Sequence, residues 1–223
     1  QWKISVIEGD IIGRSSDGDT RIVFTDKGKV EKIQVYWSPD SRYFVAMQTV
    51  AGVEHIVHAV ESSPGNRVQP RLKSWRYTKP GDRIAVTKPR LFSLGKREEI
   101  VLDDQLYKDP WQIDRLRWSL DSSRFTFIYN QRGHQVLRVV EASARDGAIR
   151  TLIEEVPESF VNYFQKQFVA FLDGRNEIIW MSERDGWNHL YLFNGKTGEL
   201  KNRITGGQWV VRGVDRVDPD KGH

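Results

Sequence analysis

The sequence predicts an all-β chain, a partial β-propeller of four-stranded antiparallel blades. Three observations predict it. Helical periodicity is almost absent, and short runs of β-branched and aromatic residues recur between Gly, Asp, Asn and Pro. One octet is written twice, as WSPDSRYF at 37–44 and WSLDSSRF at 118–125. A looser third copy of its surroundings runs through VAFLDGRNEIIWMSERDGWNHLYLFNGKTG at 169–198.

The strands expected in order are RIVFT (21–25), RYFVAMQ (42–48), HIVHAV (55–60), RFTFIYN (124–130), QVLRVVEA (135–142), EIIWMS (177–182) and HLYLFN (189–194). Between them stand turn residues: Pro39-Asp40-Ser41, Lys79-Pro80-Gly81-Asp82, Arg145-Asp146-Gly147, Leu172-Asp173-Gly174 and Arg184-Asp185-Gly186. Pro presets φ there, and Gly, Asn or Asp tolerates the left-handed region. Each copy of the repeat reads as strand, Asp-centred turn, strand, polar turn, strand and Gly-containing turn, with HIVHAV as the third strand of the first copy. A sheet this small cannot bury both faces alone, so the copies must stack around a common axis.

In the octet, Trp37 and Trp118 close a strand and are expected to pack between blades, as are the other tryptophans. The Ser and Asp side chains are placed to bond local backbone and close the turn. Tyr43, Phe44, Phe125 and Phe127 open the next strand with aromatic contacts. The separation of Trp37 from Trp118 exceeds one blade of roughly 40–50 residues. The first copy therefore carries an insertion, expected at 66–102, which crosses to the next blade and supplies further strands. One short helical turn is expected near 105–111 or 157–165. At this blade length residues 1–223 hold about four to five blades. The closing ITGGQWVVRGVDRVDPDKGH (204–223) reads as a strand entering a turn, which points to part of a larger propeller, as Gln1 in place of Met points to a processed or shortened chain.

Composition narrows the function. With 39% hydrophobic and 29% charged residues the chain affords a core and a charged surface. No apolar run approaches the roughly 20 residues of a membrane span. There is no cysteine, so disulfides, thiolate catalysis and cysteine-zinc sites are excluded. The 34 basic residues interleave with 30 acidic ones and form no block, so no nucleic-acid partner is expected despite a pI near 9.2.

Motif by motif, the chemistry is sparse. His55 and His58 are three apart on a strand and point to opposite faces, so no metal is expected. His134 and His189 sit in polar turns or strand starts and read as hydrogen-bonded structural residues. GKTG at 195–198 ends like a phosphate loop, but Leu190 stands where that loop needs Gly, and a hairpin turn accounts for it. Glu183-Arg184-Asp185 reads as a turn with an internal Arg–carboxylate pair, ahead of a functional site. No Gly-x-Ser-x-Gly elbow occurs, so no catalytic residue is assigned and the chain alone is expected to be inactive. No cofactor is expected.

From about Val35 to Asp218 the chain resembles the N-terminal propeller of the dipeptidyl peptidase IV family, prolyl-oligopeptidase-type serine peptidases. The resemblance rests on WSPDSRYFVA (37–46), WRYTKPGDRIAV (75–86), DRLRWSLDSSRF (114–125), YNQRGHQ (129–135), LIEE (152–155), FLDG (171–174), WMSERDGWNHLYLFN (180–194) and ITGGQWVVRGVD (204–215). SERDGWNHLYL, placed after FLDG and before ITGGQW, is its most specific part. The resemblance implies a parent that releases dipeptides after Pro or Ala. Its propeller would restrict and orient peptide substrate for a C-terminal α/β-hydrolase domain of the same parent chain, absent from 1–223. It also implies a periplasmic or secreted location. Counting back from FLDG, it places Tyr163 and Phe164 where the family lines its peptide cleft with an aromatic residue; core aromatics are the equal alternative. The family's acidic pair for the substrate amine is not matched: TDKGKVEKIQVYWSPDS holds a lone Glu31, and Glu98-Glu99 and Glu154-Glu155 lie elsewhere. Two other readings stand beside this one, a non-enzymatic propeller that binds a peptide or protein, and the propeller of an oligopeptidase or acylaminoacyl-type relative. A partial propeller leaves open strand edges, so the isolated chain is expected to self-associate into a homo-oligomer or to be marginally stable.

Overall fold

The computed structural model describes residues 2–8, 10–16, 21–24, 33–219 and 221. They form four sheets in chain order. The first holds β1 (Trp2–Ile7), β2 (Asp10–Ser15) and β3 (Arg21–Phe24). The second holds β4 (Ile33–Trp37), β5 (Tyr43–Val50), β8 (Val86–Ser93) and β9 (Glu98–Ile100). Between β5 and β8 a separate two-stranded ribbon stands out, β6 (Ile56–Glu61) with β7 (Arg71–Arg76). The third sheet is β10 (Pro110–Trp118), β11 (Arg124–Gln131), β12 (Leu137–Ser143) and β13 (Ile149–Glu155). The fourth is β14 (Val169–Leu172), β15 (Glu177–Ser182), β16 (His189–Asn194) and β17 (Leu200–Arg203). All pairings are antiparallel between neighbours, the meander expected of propeller blades.

The strands of the second and third sheets are apolar on both faces because both faces are covered. On β5, Phe44 and Ala46 join the core shared with the first sheet, while Val45 and Met47 join the core shared with the third. On β11, Phe125, Phe127 and Tyr129 face the second sheet, and Ile128 faces Val169, Ile178 and Trp180 of the fourth. Successive residues thus enter different cores, as the period of two requires.

The octet does what its residues allow, and it also couples the blades. Ser38 Oγ donates to Asp40 Oδ1 (2.7 Å), and the Tyr43 amide donates to Ser38 Oγ (3.0 Å). Ser119, Asp121 and Arg124 repeat the pattern at 2.6 and 3.2 Å. Ser41 and Ser122 both take positive φ, at 57° and 60°. Ser122 Oγ then accepts from the Asp40 amide (3.0 Å), so the second copy caps the first. Trp118 Nε1 donates to the Tyr36 carbonyl (3.1 Å), and the Trp118 ring stacks on Tyr43. A second joint recurs at the last turn of the third and of the fourth sheet. Gly147, with φ 74°, lies so close to Val101 that a Cβ would stand 2.3 Å from its carbonyl oxygen; Gly198, with φ 79°, meets the Leu152 carbonyl in the same way.

Four expectations are corrected. The insertion lies within one blade and does not bridge two. HIVHAV forms β6 of the projecting ribbon, the third blade strand is β8, and 86–100 complete the second sheet. Periodicity marks β6 as a strand but does not say which sheet it joins. The helical turn at 105–111 is a 3₁₀ turn at Gln105–Tyr107; residues 157–165 hold turns and bends only, and a second 3₁₀ turn sits at Asp173–Arg175. Not every tryptophan packs between blades: Trp180 is fully buried, whereas Trp75, Trp111, Trp187 and Trp209 are exposed. The carboxylate that Arg184 pairs with is not internal to its turn; it is Glu155 on β13.

Two outcomes follow from these joints. Gly198→Ala must push the fourth sheet off Leu152 as well as strain its own backbone, so it destabilises by more than ~1 kcal/mol; Gly174→Ala, where a Cβ meets open space, leaves the thermal midpoint within a degree or two. Asp121 is held down to about 2 by the Ser119 hydroxyl, then by the Ser123 hydroxyl and amide. A depressed carboxyl lends stability that is complete above its ordinary value of 3.8 and drains away as pH falls toward about 2. Thermal melts between pH 7 and 2 will show Asp121→Asn destabilised at neutral pH and flatter than wild type on this acid limb.

Candidate substrate-facing surface

The connection from β13 to β14 carries most of the exposed chemistry. It leaves Glu155 through Val156-Pro157, which keeps the chain extended, and it is pinned where the Val161 amide donates to the His134 carbonyl (2.7 Å). Val161 is buried in the core between the third and fourth sheets. Just beyond this anchor come Tyr163 and Phe164. Tyr163 is half-buried against that core, and Phe164 is 82% exposed. Their ring centroids are 4.3 Å apart. So the two residues divide: Tyr163 is in part the core aromatic, and Phe164 is free to meet a ligand.

His134, in the β11–β12 turn, stacks on Tyr163 with centroids 4.3 Å apart. Its Nδ1 donates to the Asn130 side-chain oxygen (3.0 Å), and burial holds its imidazole below the usual value, so it is neutral at pH 7. Trp111, at the start of β10, meets His134 edge-on at 5.4 Å. His189 is different: it is buried, its Nε2 donates to the Gly207 carbonyl (3.0 Å), and its Nδ1 accepts from the Thr205 hydroxyl (3.1 Å). It fastens Thr205 and Gly207 and has no free nitrogen, while Asn188 holds Val211. His58 shares a hydrogen bond with Ser74 (2.8 Å) and His55 lies 3.7 Å from Asp82, so the two rings serve different partners. Among the described residues no cluster of three or more His, Asp or Glu is placed to hold a metal, and no helix is long and apolar enough to cross a membrane.

The other side of the connection borders an open cleft of about 710 Å³. Glu154, Glu155, Glu158 and Glu183 line it with Lys166 and Arg184. Most of this charge is internally paired. Glu155 Oε1 accepts from Arg184 Nη2 (2.5 Å) and from Trp180 Nε1 (2.9 Å), Glu183 pairs with Lys166, and Glu154 with Arg138. Glu158 alone of the four has no ion-pair partner among the described residues. The Arg184 guanidinium also lies over the rings of Tyr191 (5.1 Å) and Phe193 (4.9 Å). Tyr191 donates to Asp185 (2.8 Å); burial, then that carboxylate, push its phenol up to about 12. The SERDG turn is therefore a joint between blades, and GKTG is the β16–β17 hairpin turn, closed by Asn194 Oδ1 accepting from the Lys196 and Thr197 amides. A small cavity of about 60 Å³ between the third and fourth sheets is lined by the Arg117–Asp173 pair (2.5 Å) and by Glu177, which pairs with Lys201.

Sequence reasoning named Tyr163 and Phe164 and read His134 as a hydrogen-bonded structural residue, which its bond to Asn130 makes it, but did not single out Trp111 beside them. No local signal marks Trp111, because its partner ring comes from another strand pair. Glu31 lies outside the described residues.

Comparison with known proteins agrees with this architecture. The sequence profile of the dipeptidyl peptidase IV (DPP IV) N-terminal region matches residues 31–223. The chain is similar in structure to dipeptidyl peptidase 4 of Porphyromonas gingivalis, with TM-score 0.66 and 17% identity, over 94% of this chain and 32% of that one. It is also similar to a Bacteroides ovatus protein provisionally named dipeptidyl aminopeptidase IV, with TM-score 0.53 and 15% identity, over 96% of this chain and 39% of that one. The chain thus spans about a third of the length of these relatives, and at such identity the likeness bears on the fold, a region of β-propeller. On the match over residues 31–223, this chain belongs to the dipeptidyl peptidase IV N-terminal region family.

Proposed function

We propose that residues 1–223 are part of the propeller of a serine-type dipeptidyl peptidase that removes dipeptides after Pro or Ala. In this reading the propeller restricts and orients peptide substrate, and hydrolysis belongs to an α/β-hydrolase domain with a Ser nucleophile, His base and orienting Asp. The family match carries the reading. The exposed Phe164 ring, stacked on Tyr163 at the joint between two blades, supports a peptide-facing role for both residues. Their contribution is binding and orientation, since neither side chain offers a nucleophile or base matched to acyl transfer at neutral pH. The family likeness also supports a place outside the cytoplasm.

Two measurements test this. The isolated chain leaves Gly-Pro and Ala-Pro chromogenic dipeptides intact, while the full-length polypeptide that carries it turns them over; turnover by the isolated chain that survives repurification refutes the division of labour, and no turnover by the full-length polypeptide refutes the peptidase. In the full-length polypeptide, Phe164→Ala raises KM for a longer peptide by ~2- to ~10-fold with kcat nearly unchanged, the mark of lost uniform binding by one aromatic contact.

A further inference from the structure

The outermost strand of the second sheet is cut short. β8 runs for 8 residues, Val86–Ser93, yet β9 pairs with it only at Leu91, Phe92 and Ser93. Against the unpaired run from Val86 to Arg90 opens a cavity of about 260 Å³. The connection from β9 to β10 forms its far wall, and two sheets hold that wall. Asp104 accepts from Lys88 on β8 (2.6 Å), the Leu106 carbonyl accepts from Arg138 on β12 (2.8 Å), and Tyr107 meets Phe127 on β11 edge-on at 5.2 Å. A cavity braced in this way is formed before a ligand arrives.

Tyr107 is the residue that points to a ligand. It borders the cavity and is 1% exposed, yet its hydroxyl has no hydrogen-bond partner among the described residues. A buried hydroxyl without an acceptor costs free energy, and a bound acceptor removes that cost. Burial, then the Asp104 and Asp103 carboxylates, push the phenol up, so it stays protonated and can donate. The charges around the cavity are already matched, Lys88 with Asp104 and Arg90 with Glu99 (2.7 Å), so neither a cation nor an anion finds a spare counter-charge. Val50, Val86, Val101 and Leu102 supply apolar walls. Pro89 pairs with Met47 of β5 and has no N–H for the ladder, so that side of the residue, its carbonyl included, turns to the open edge. The volume lies below the ~300–1,000 Å³ of sites for drug-sized molecules and suits a single residue. We propose that this cavity binds one aliphatic residue, leucine or valine, of an extended peptide: Tyr107 donates to its carbonyl, Pro89 accepts from an amide N–H, and its side chain lies among the valines and Leu102. The inference stands apart from the peptide-facing reading of Tyr163 and Phe164.

The test is a ligand-detected NMR titration of the full-length polypeptide with N-acetyl-leucine N-methylamide, which carries one side chain and both flanking amides. It binds with a Kd of about 1 mM, as its size allows. Tyr107→Phe keeps the ring against Phe127, removes the hydroxyl, and weakens binding by ~2- to ~10-fold, the worth of one hydrogen bond. Val101→Asp, at a position 79% exposed, weakens it by a similar factor. The glycine analogue of the probe binds at least ~5-fold more weakly for want of a side chain. If Tyr107→Phe and Val101→Asp both bind the probe as wild type does, the probe sits elsewhere and the proposal is overturned, whatever Phe164→Ala does. Tighter binding of N-acetyl-leucine, as its carboxylate, overturns the assignment to a neutral amide, and absence of saturable binding overturns the site. If Tyr107→Phe loses its cooperative melt, Val101→Asp decides alone.

Discussion

The second and third blades are antiparallel sheets with two apolar faces, and this constraint governs everything else in the molecule. Phe127 and Ile128 are neighbours in sequence, yet they lie in different cores on opposite sides of one sheet. A strand of this kind gains its burial only when sheets stand on both sides of it, and a fully buried Phe or Ile is worth roughly 1.5–3 kcal/mol. Stacking is therefore not an arrangement of finished blades. It is the step that makes each blade stable, and it explains why devices acting between sheets are as regular as those within them.

Those devices are backbone-level, which is why a short octet can specify them. Ser122 reaches the Asp40 amide, Trp118 reaches the Tyr36 carbonyl, and Gly147 and Gly198 let one turn rest on the preceding strand or linker. Such contacts depend on the path of the neighbouring chain and hardly at all on its side chains. The copies can then drift elsewhere while keeping their joints, as the loose third copy does. There the joint has changed chemistry: Glu155 takes both the Trp180 indole and the Arg184 guanidinium across the interface. Removing the carboxylate alone would leave a half-buried guanidinium without its counter-charge, so the pair holds position more than it adds stability.

Strand identity was legible wherever alternation and turn chemistry agreed, as in RFTFIYN and its flanking Asp121 and Gly133 turns. Sheet membership was not legible in the first copy. Ile56, Val60 and Leu72 give the β6–β7 ribbon the pattern of a half-buried strand pair, yet all three are exposed, and β8 takes the place in the blade. Alternation states that a strand has faces; only long-range pairing states what covers them. The 3₁₀ turn at 105–107 was legible within an allowed range, and the one at 173–175 was hidden inside what reads as a simple Asp-Gly turn. The exposure of residues in the β13–β14 connection was not legible locally. Nothing around Tyr163 or Phe164 distinguishes a core aromatic from an exposed one, and the structure makes them one of each.

The same constraint explains where the proposed ligand surface arises. Within the stack, side chains are committed to two cores and cannot be given up to binding. The connection between β13 and β14 is freer, because it has only to cross from one sheet to the next. It meets that demand with one buried anchor, Val161, and one main-chain bond to His134. The residues on either side of the anchor then face outward, carboxylates toward the cleft and aromatic rings toward the β11–β12 turn. Rigid sheets thus hold a short variable segment at a fixed height over a joint, which is how a propeller presents different chemistry without changing its core.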